Sequence, residues 1–178
     1  MRRKGKGTDL RNQTFKSDAR KLTYKAFINQ IAPRALKIDV APVRFEPITA
    51  AAIEKCHLWK GAAIYPWDHI AEWKRKDAKG LDLAIWYGQN LCGLCYATPR
   101  RSAICLKIVL LQGDPDTAHP LRGVIAPIAI LAADFYARML GCKVIEIQEP
   151  DPNVIFYYRD LGFDFDQNNR LVMFLNDQ

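Results

Sequence analysis

Long apolar runs are missing from this chain of 178 residues, although 49% of its residues are hydrophobic. The longest uncharged apolar stretch, Val124 to Ala133, is about half of the roughly 20 residues that a membrane span needs. The opening MRRKGKGTDL lacks the apolar segment of a signal peptide, so a soluble, cytoplasmic protein without membrane contact is expected. Histidine is scarce, and the single C-x-x-C, Cys92 and Cys95, has no second cysteine or histidine pair at zinc-finger spacing. On a regular strand, moreover, positions three apart face opposite sides of a sheet. The five cysteines (Cys56, Cys92, Cys95, Cys105, Cys142) form an odd set, four of them within apolar stretches. These features argue against a disulfide scaffold and a metal centre and favour reduced, buried thiols. Internal repeats are missing as well, and the basic opening is the one stretch of biased composition.

What is present begins with a charge asymmetry. Residues 1–41 hold eleven Lys or Arg against three Asp, whereas residues 42–178 hold fifteen basic against sixteen acidic side chains. The net charge of +7 therefore belongs to an N-terminal extension on a nearly neutral domain. The length suits one domain with a substantial core. Residues 1–16, polar with hardly any apolar side chain, are expected to be mobile. Residues 17–41 should form an amphipathic helix and linker, capped at Ser17, presenting Tyr24, Phe27, Ile28 and Ile31 on one face and stopping at Pro33. A basic segment such as 1–37 attracts phosphate backbones, making RNA or DNA a candidate partner; a merely solubilising tail is the alternative.

The domain at 42–178 reads as β-α-α-β-β-β-α-β-α-β-β. VRFEPIT (43–49) alternates as a strand, and Thr49 caps a helix through AAAIEKCHLWK. A second helix follows Pro66 and ends at Gly80. LDLAIWYG and LCGLCYAT form a hairpin across GQN, and the largely apolar SAICLKIVLLQ is a central strand. A helix from Ile125 to Leu140 tolerates Pro127 in its first turn and terminates at Gly141. CKVIEIQEP is a strand, DPNVIFYYRDLG a short helix, and FDFDQNNRLVMFL a terminal hairpin.

The link between the third strand of this run and the long helix carries the first chemical signal. A helix that starts behind a glycine presents unpaired amides and a positive dipole end, which favour an anion. Arg122 adds charge there, and Gly123 lets a phosphate approach the backbone. Downstream, Tyr158-Arg-Asp-Leu-Gly162-Phe163 matches the pattern Y-x-x-L-G-F. In this motif and in the order of elements over roughly residues 42–175, the chain resembles the GNAT superfamily of acyl-CoA-dependent N-acyltransferases. The family's Q/R-x-x-G-x-G/A loop is matched loosely: with Gly123 as its first glycine, Pro120 takes the Q/R position and Ile125 the last G/A position, Ala126 standing one residue late.

The resemblance implies a mixed α/β fold with a mostly antiparallel sheet of about six or seven strands flanked by helices, and acetyl-CoA or another acyl-CoA as cosubstrate. Its pyrophosphate would lie on backbone amides of Leu121, Arg122, Gly123, Val124, Ile125 and Ala126, and its pantetheine arm along Val109, Leu110 and Leu111, where the sheet splays beside the strand Cys142 to Gln148. Asn153, near the cap of the short helix, is a further candidate contact. Tyr158 is the candidate general acid, since a phenol near the sulfur suits protonation of the leaving thiolate. Tyr157, beside it, is expected to face elsewhere as core. Asp114 and Glu146, with Asp82 and His119, are candidate bases acting through water. Trp59, Tyr65, Trp67 and Trp73 are candidate linings of an acceptor pocket, and His57 and His69 lie in the same region. The acceptor would be a primary amine, with a nucleic-acid-associated one (tRNA, nucleobase or basic protein) suggested by the basic segment. The alternative is a non-catalytic GNAT-fold binding module. A homodimer is compatible with the sequence, which carries no determinant of oligomeric state.

Overall fold

The computed structural model describes residues 6–61 and 65–176. Among them, seven strands form one sheet in the order β1-β2-β3-β4-β5-β7-β6. These are β1 (Val43–Glu46), β2 (Leu81–Tyr87), β3 (Asn90–Thr98), β4 (Cys105–Gly113), β5 (Val144–Ile147), β6 (Asp164–Phe165) and β7 (Leu171–Phe174). Neighbours pair antiparallel except β4 and β5, which are parallel. The helices are α1 (Lys6–Ala26), α2 (Ala32–Ala35), α3 (Ala50–His57), α4 (Ile70–Lys76), α5 (Ile125–Leu140) and α6 (Ile155–Asp160). From β1 onward the element order is the one read from the sequence, as is the mixed, mostly antiparallel sheet flanked by helices. No helix among the described residues is long and apolar enough to cross a membrane.

The sheet is covered on both faces, which explains why β2 and β3 are buried along almost their whole length. One core joins α1 and α5 to the sheet through Phe27, Leu83, Ile108, Ile128 and Tyr136. The other lies beneath α3 and α4, with Trp67, Ile70, Trp86, Leu94 and Tyr96. Helix α5 ends where Gly141, at φ +79°, adopts the left-handed conformation and Cys142 N donates to Ala137 O at 2.8 Å.

At the β2–β3 pair the register slips: Ile85 faces Gly93 while Trp86 faces Leu91. Cys92 is thus an extra residue, a bulge that inverts the alternation on one side of it. Consequently Cys92 and Cys95 both belong to the α5-side core, where regular alternation places them on opposite faces. All five cysteines are buried and free.

The N-terminal segment departs most from expectation. Helix α1 begins at Lys6 rather than at Ser17, so residues 6–16 of the expected mobile tail are helical; residues 1–5 lie outside the described residues. Composition conceals the reason, which is spacing: Phe15, Ala19, Thr23 and Phe27 recur every fourth residue, and all four pack inward. Pro33 does not stop the helix either. A single π-helical turn, Phe27–Ile31, precedes α2, with Ala32 N donating to Phe27 O. Ala32 thereby starts a new turn and Pro33 falls at its start, where a missing N–H costs nothing.

A buried ion pair ties α1 to the domain. Arg20 donates from Nε and Nη2 to the Asp82 carbonyl at 3.1 and 2.7 Å, and from Nη2 to Asp82 Oδ1 at 3.1 Å. Strand β1 ends with Glu46 opposite Ala84, leaving the edge of β2 at Asp82 without a strand neighbour. The guanidinium takes that neighbour's place. Asp82 Oδ2 accepts from Lys74 Nζ at 2.8 Å and from Ile48 N at 2.7 Å. Asp82, one of the candidate bases, is therefore a structural anion joining α1, α4 and β2.

Candidate active site

Strands β4 and β5 run side by side only briefly. Their pairing extends from Cys105 with Val144 to Ile108 with Ile147, and Gln148 N closes it by donating to Ile108 O at 3.0 Å. Beyond that point β4 continues to Gly113 alongside β3 alone. The β3–β4 register slips where β5 departs: Tyr96 faces Leu110 and Ala97 faces Ile108, so Val109 is an extra residue. A bulge at this place bends β4 away from β5 and turns backbone groups into the gap.

The gap opens into a cleft of about 290 Å³ lined by β4, the first turn of α5, the segment after β5, and α6. Of the residues singled out in the sequence, Val109, Leu111, Ile125, Ala126 and Tyr158 meet there. The first turn of α5 lies close on the sheet because β3 carries a glycine beneath it: a Cβ on Gly93 would stand 2.6 Å from Ile125 Cγ2.

The remaining candidates are placed as follows. Leu110 turns its side chain into the core under α3 and α4; Leu121 and Val124 are buried in the α5-side core. Arg122 is exposed. Its amide donates to His119 O, and that of Val124 to Leu121 O, each at 3.2 Å, so neither is spare for a ligand. Gly123 has φ +84° with open space where a Cβ would be. Pro127 has no N–H, and the opening amides of a helix lack partners within it. The Leu121 amide is directed at the Cys92 sulfur, so among the described residues the amides left to face an anion are those of Gly123, Ile125 and Ala126. Asn153 bonds to Asp151 Oδ1 through its amide and side chain at 2.9 and 3.0 Å, one position from cleft-lining Val154.

Asp114 and Glu146 are not brought to the cleft. Asp114 Oδ1 accepts from Asp116 N at 2.9 Å, and its side chain lines a separate groove with Asp116 and His119. Glu146 is paired with Lys107 at 3.5 Å and Arg170 at 3.8 Å, flanked by Ile145 and Ile147, which point to the opposite, α5 side. His57 is exposed and bonded to Asp68 at 2.8 Å. Trp59 and Trp67 are core, whereas Tyr65 lines the cleft.

Tyr157 corrects a second expectation. It is half-buried rather than core, lines the cleft beside Tyr158, and points its hydroxyl at Gly123 O, 3.4 Å away. Adjacent residues on a helix are separated by about 100°, yet both rings border the cleft. Sequence reasoning also passed over Gln148 and Glu149, which form the opposite lip. The signal for them was EPDP, whose prolines end β5 where the sheet opens. Glu149 and Arg100 are non-glycine residues at positive φ, +47° and +50°. Both flank the gap, with Arg100 Nη2 donating to Gln148 Oε1 at 2.9 Å, and backbone strain of this kind concentrates at functional sites.

Burial pushes the Tyr158 hydroxyl up to about 12, with Cys95, Tyr65 and Tyr157 adding to the effect. A phenol in this setting holds its proton at neutral pH. It stands in the cleft as a hydrogen-bond donor.

No protein-family model matches the sequence, and no curated protein matches it. Solved structures do match in fold. Ard1 from Thermoplasma volcanium is 12% identical and superposes with a TM-score of 0.59 over 77% of this chain and 100% of its own. The ribosomal-protein-S18-alanine N-acetyltransferase from Escherichia coli is 10% identical, with a TM-score of 0.56 over 76% of this chain and 96% of its own. A GNAT family acetyltransferase from Elizabethkingia anophelis, with acetyl-CoA bound, is 13% identical, with a TM-score of 0.51 over 76% of this chain and 99% of its own. This chain has the GNAT fold. About a quarter of it stays outside each match, a length comparable to that of the segment before β1.

Proposed function

We propose that the protein transfers an acetyl or related acyl group from acyl-CoA to a primary amine by direct attack, with Tyr158 as general acid. The observation that carries this reading is convergence: the bulged Val109, the first turn of α5 and the Tyr158 side chain border one cleft. Val109 to Leu111, past the end of the β5 pairing, offer a strand edge to the pantetheine arm. Gly123, Ile125 and Ala126 offer amides to the pyrophosphate, and Arg122 supplies the nearby cation. Tyr158 donates its proton to the thiolate as the carbon–sulfur bond breaks. Calorimetric titration with acetyl-CoA tests the reading. Saturable binding supports it; no heat at millimolar ligand would sink it and leave a GNAT-fold binding module.

A second reading concerns the basic segment. Arg11, Lys21, Lys25, Arg34 and Lys37 are exposed, whereas Lys16 and Arg20 are buried. Lys21 and Lys25 also rim a groove walled by Tyr24 and Phe45, and cations beside aromatic rings suit RNA or DNA. Charge reversal at Lys21 and Lys25 should flatten the salt dependence of oligonucleotide binding; an unaltered slope removes this contact.

A further inference from the structure

A second cavity meets the cleft at a single residue. It is about 220 Å³, lies on the α4 side of the sheet, and is lined by Trp73, Lys76, Asp77, Tyr96, Thr98, Arg100 and Val109. Val109, the bulged residue, lines both cavities. A molecule here would thus be separated from the cleft by the thickness of the bulge, at the place where β4 and β5 part.

The walls specify its chemistry. The rings of Trp73 and Tyr96 stand 5.5 Å apart at 52°, making an apolar, angled wall. Asp77 is fixed in orientation, accepting from Thr98 Oγ1 and, at Oδ1, from Lys79 N at 3.0 Å. Arg100 is held at the boundary by two contacts: its amide donates to Thr98 Oγ1 at 2.9 Å, and one Nη2–H is given to Gln148 on the cleft lip. A guanidinium has five N–H donors in a planar fork suited to a carboxylate, and the backbone holds this one in a left-handed conformation that costs free energy. Lys76, by contrast, is paired with Glu72. One oriented anion, one oriented guanidinium and an aromatic wall fit a small zwitterion better than a polyamine, whose several positive charges would face Arg100.

We propose that this cavity is the acceptor subsite and that its acceptor is a primary amine bearing a carboxylate, as in a free α-amino acid with an apolar side chain. The proposal rests on the acyl-transfer reading above. The carboxylate pairs with Arg100, the side chain lies against Trp73 and Tyr96, and Asp77 attracts the ammonium toward Val109. The ammonium sheds one proton to solvent. Its lone pair then forms the carbon–nitrogen bond as the carbon–sulfur bond breaks; the thiolate takes a proton from Tyr158, the second nitrogen proton passes to solvent, and solvent returns one to the Tyr158 phenolate. The products are an N-acyl amino acid and free thiol.

The test compares phenylalanine with phenethylamine, which differ by the carboxylate, in initial rates with acetyl-CoA. The amino acid should have a kcat/KM at least about tenfold higher, the scale of a lost charge-assisted contact. Arg100→Asn, chosen because asparagine tolerates positive φ, should abolish the preference by raising the KM for phenylalanine, with kcat and the KM for acetyl-CoA retained. Equal or better use of phenethylamine would overturn the assignment, as would a preference that survives Arg100→Asn. An aminoalkyl phosphate preferred over phenylalanine would replace the carboxylate with a phosphate and overturn it likewise. If acetyl-CoA fails to bind, the acyl-transfer reading falls separately. The subsite is then read by tryptophan fluorescence: a response to phenylalanine, weaker for phenethylamine and lost in Arg100→Asn, upholds it, and no response overturns it.

Discussion

Replacing Arg20 with methionine tests whether α1 is part of the domain or an accessory to it. Methionine keeps most of the aliphatic stem and deletes the guanidinium. Arg20 and Asp82 have side chains 10% and 2% exposed, so water cannot readily take the place of the lost donors. The Asp82 carbonyl loses both its donors, at 3.1 and 2.7 Å, while the carboxylate keeps Lys74 and Ile48 N. Breaking a buried pair costs about 3–5 kcal/mol when a charge is stranded. Because Asp82 retains two partners, about 3 kcal/mol is the appropriate end of that range. At about 2–4 °C per kcal/mol for a domain of this size, Tm should fall by roughly 6–12 °C. Urea unfolding followed by circular dichroism should show a lower midpoint with an unchanged slope. In Asp82→Asn the same substitution should cost less, since the two share one network. A loss below about 1 kcal/mol, the level of an exposed pair, would refute the reasoning and make α1 an appendage.

Tyr158→Phe should lower kcat on the order of a hundredfold and leave acetyl-CoA affinity unchanged in calorimetry. Since burial raises this phenol from 10.0 to about 12, its proton is lost only as pH rises toward that value. The rate should therefore show no Tyr158-dependent decline near pH 10; a decline there that vanishes in the phenylalanine variant would contradict the assignment. Gly93→Ala should destabilise the protein by about 1–3 kcal/mol, because the added Cβ would lie 2.6 Å from Ile125 Cγ2, and should weaken acetyl-CoA binding by displacing the first turn of α5. A melt indistinguishable from wild type would show that α5 has more room than its contacts indicate. Burial raises the thiols of Cys56, Cys92 and Cys105 to about 11 and that of Cys95 to about 12. Little thiolate exists at pH 8, so a thiol-specific reagent should label these positions only upon unfolding; rapid native labelling, mapped by mass spectrometry, would refute this.

The parts of the fold that were legible in the sequence are those set by local signals. Gly141 ends α5, Thr49 caps α3, the two-residue turn after Tyr87 closes a hairpin, and the apolar SAICLKIVLLQ is central, each for a reason contained in a few neighbouring residues. Helix α1 was harder because its first half has almost no hydrophobic composition. Its inward face uses Asn12 and Lys16 as well as Phe15, and polar residues enter a core only where the fold supplies surroundings that local sequence cannot reveal. Arg20 shows the same limit. Its partner lies on β2, 62 positions away, at a strand edge exposed only because β1 is short.

The candidate site was legible in a patchier way, for a geometric reason. Tyr158 and the loop before α5 carry motifs, and the cleft joins Tyr158 to Ile125 and Ala126, where that loop enters the helix. What no motif announces is a bulge, since one extra residue leaves composition and periodicity almost unchanged while inverting the direction of every side chain on one side of it. The extra residue at Cys92 brings two cysteines onto one face, contrary to alternation. The extra residue at Val109 does more, because it falls where β5 departs. It sets Leu110 into one core, opens the gap, and places its own side chain between two cavities. Asp114 and Glu146 illustrate the converse: both were candidates by proximity in sequence to the central strands, yet a strand's alternation and a loop's turn carry them to a salt-bridged face and to a separate groove. The residues left bordering the gap, Gln148 and Arg100, come from the segments that follow β5 and β3, so the site is organised by where strands end as much as by what they contain.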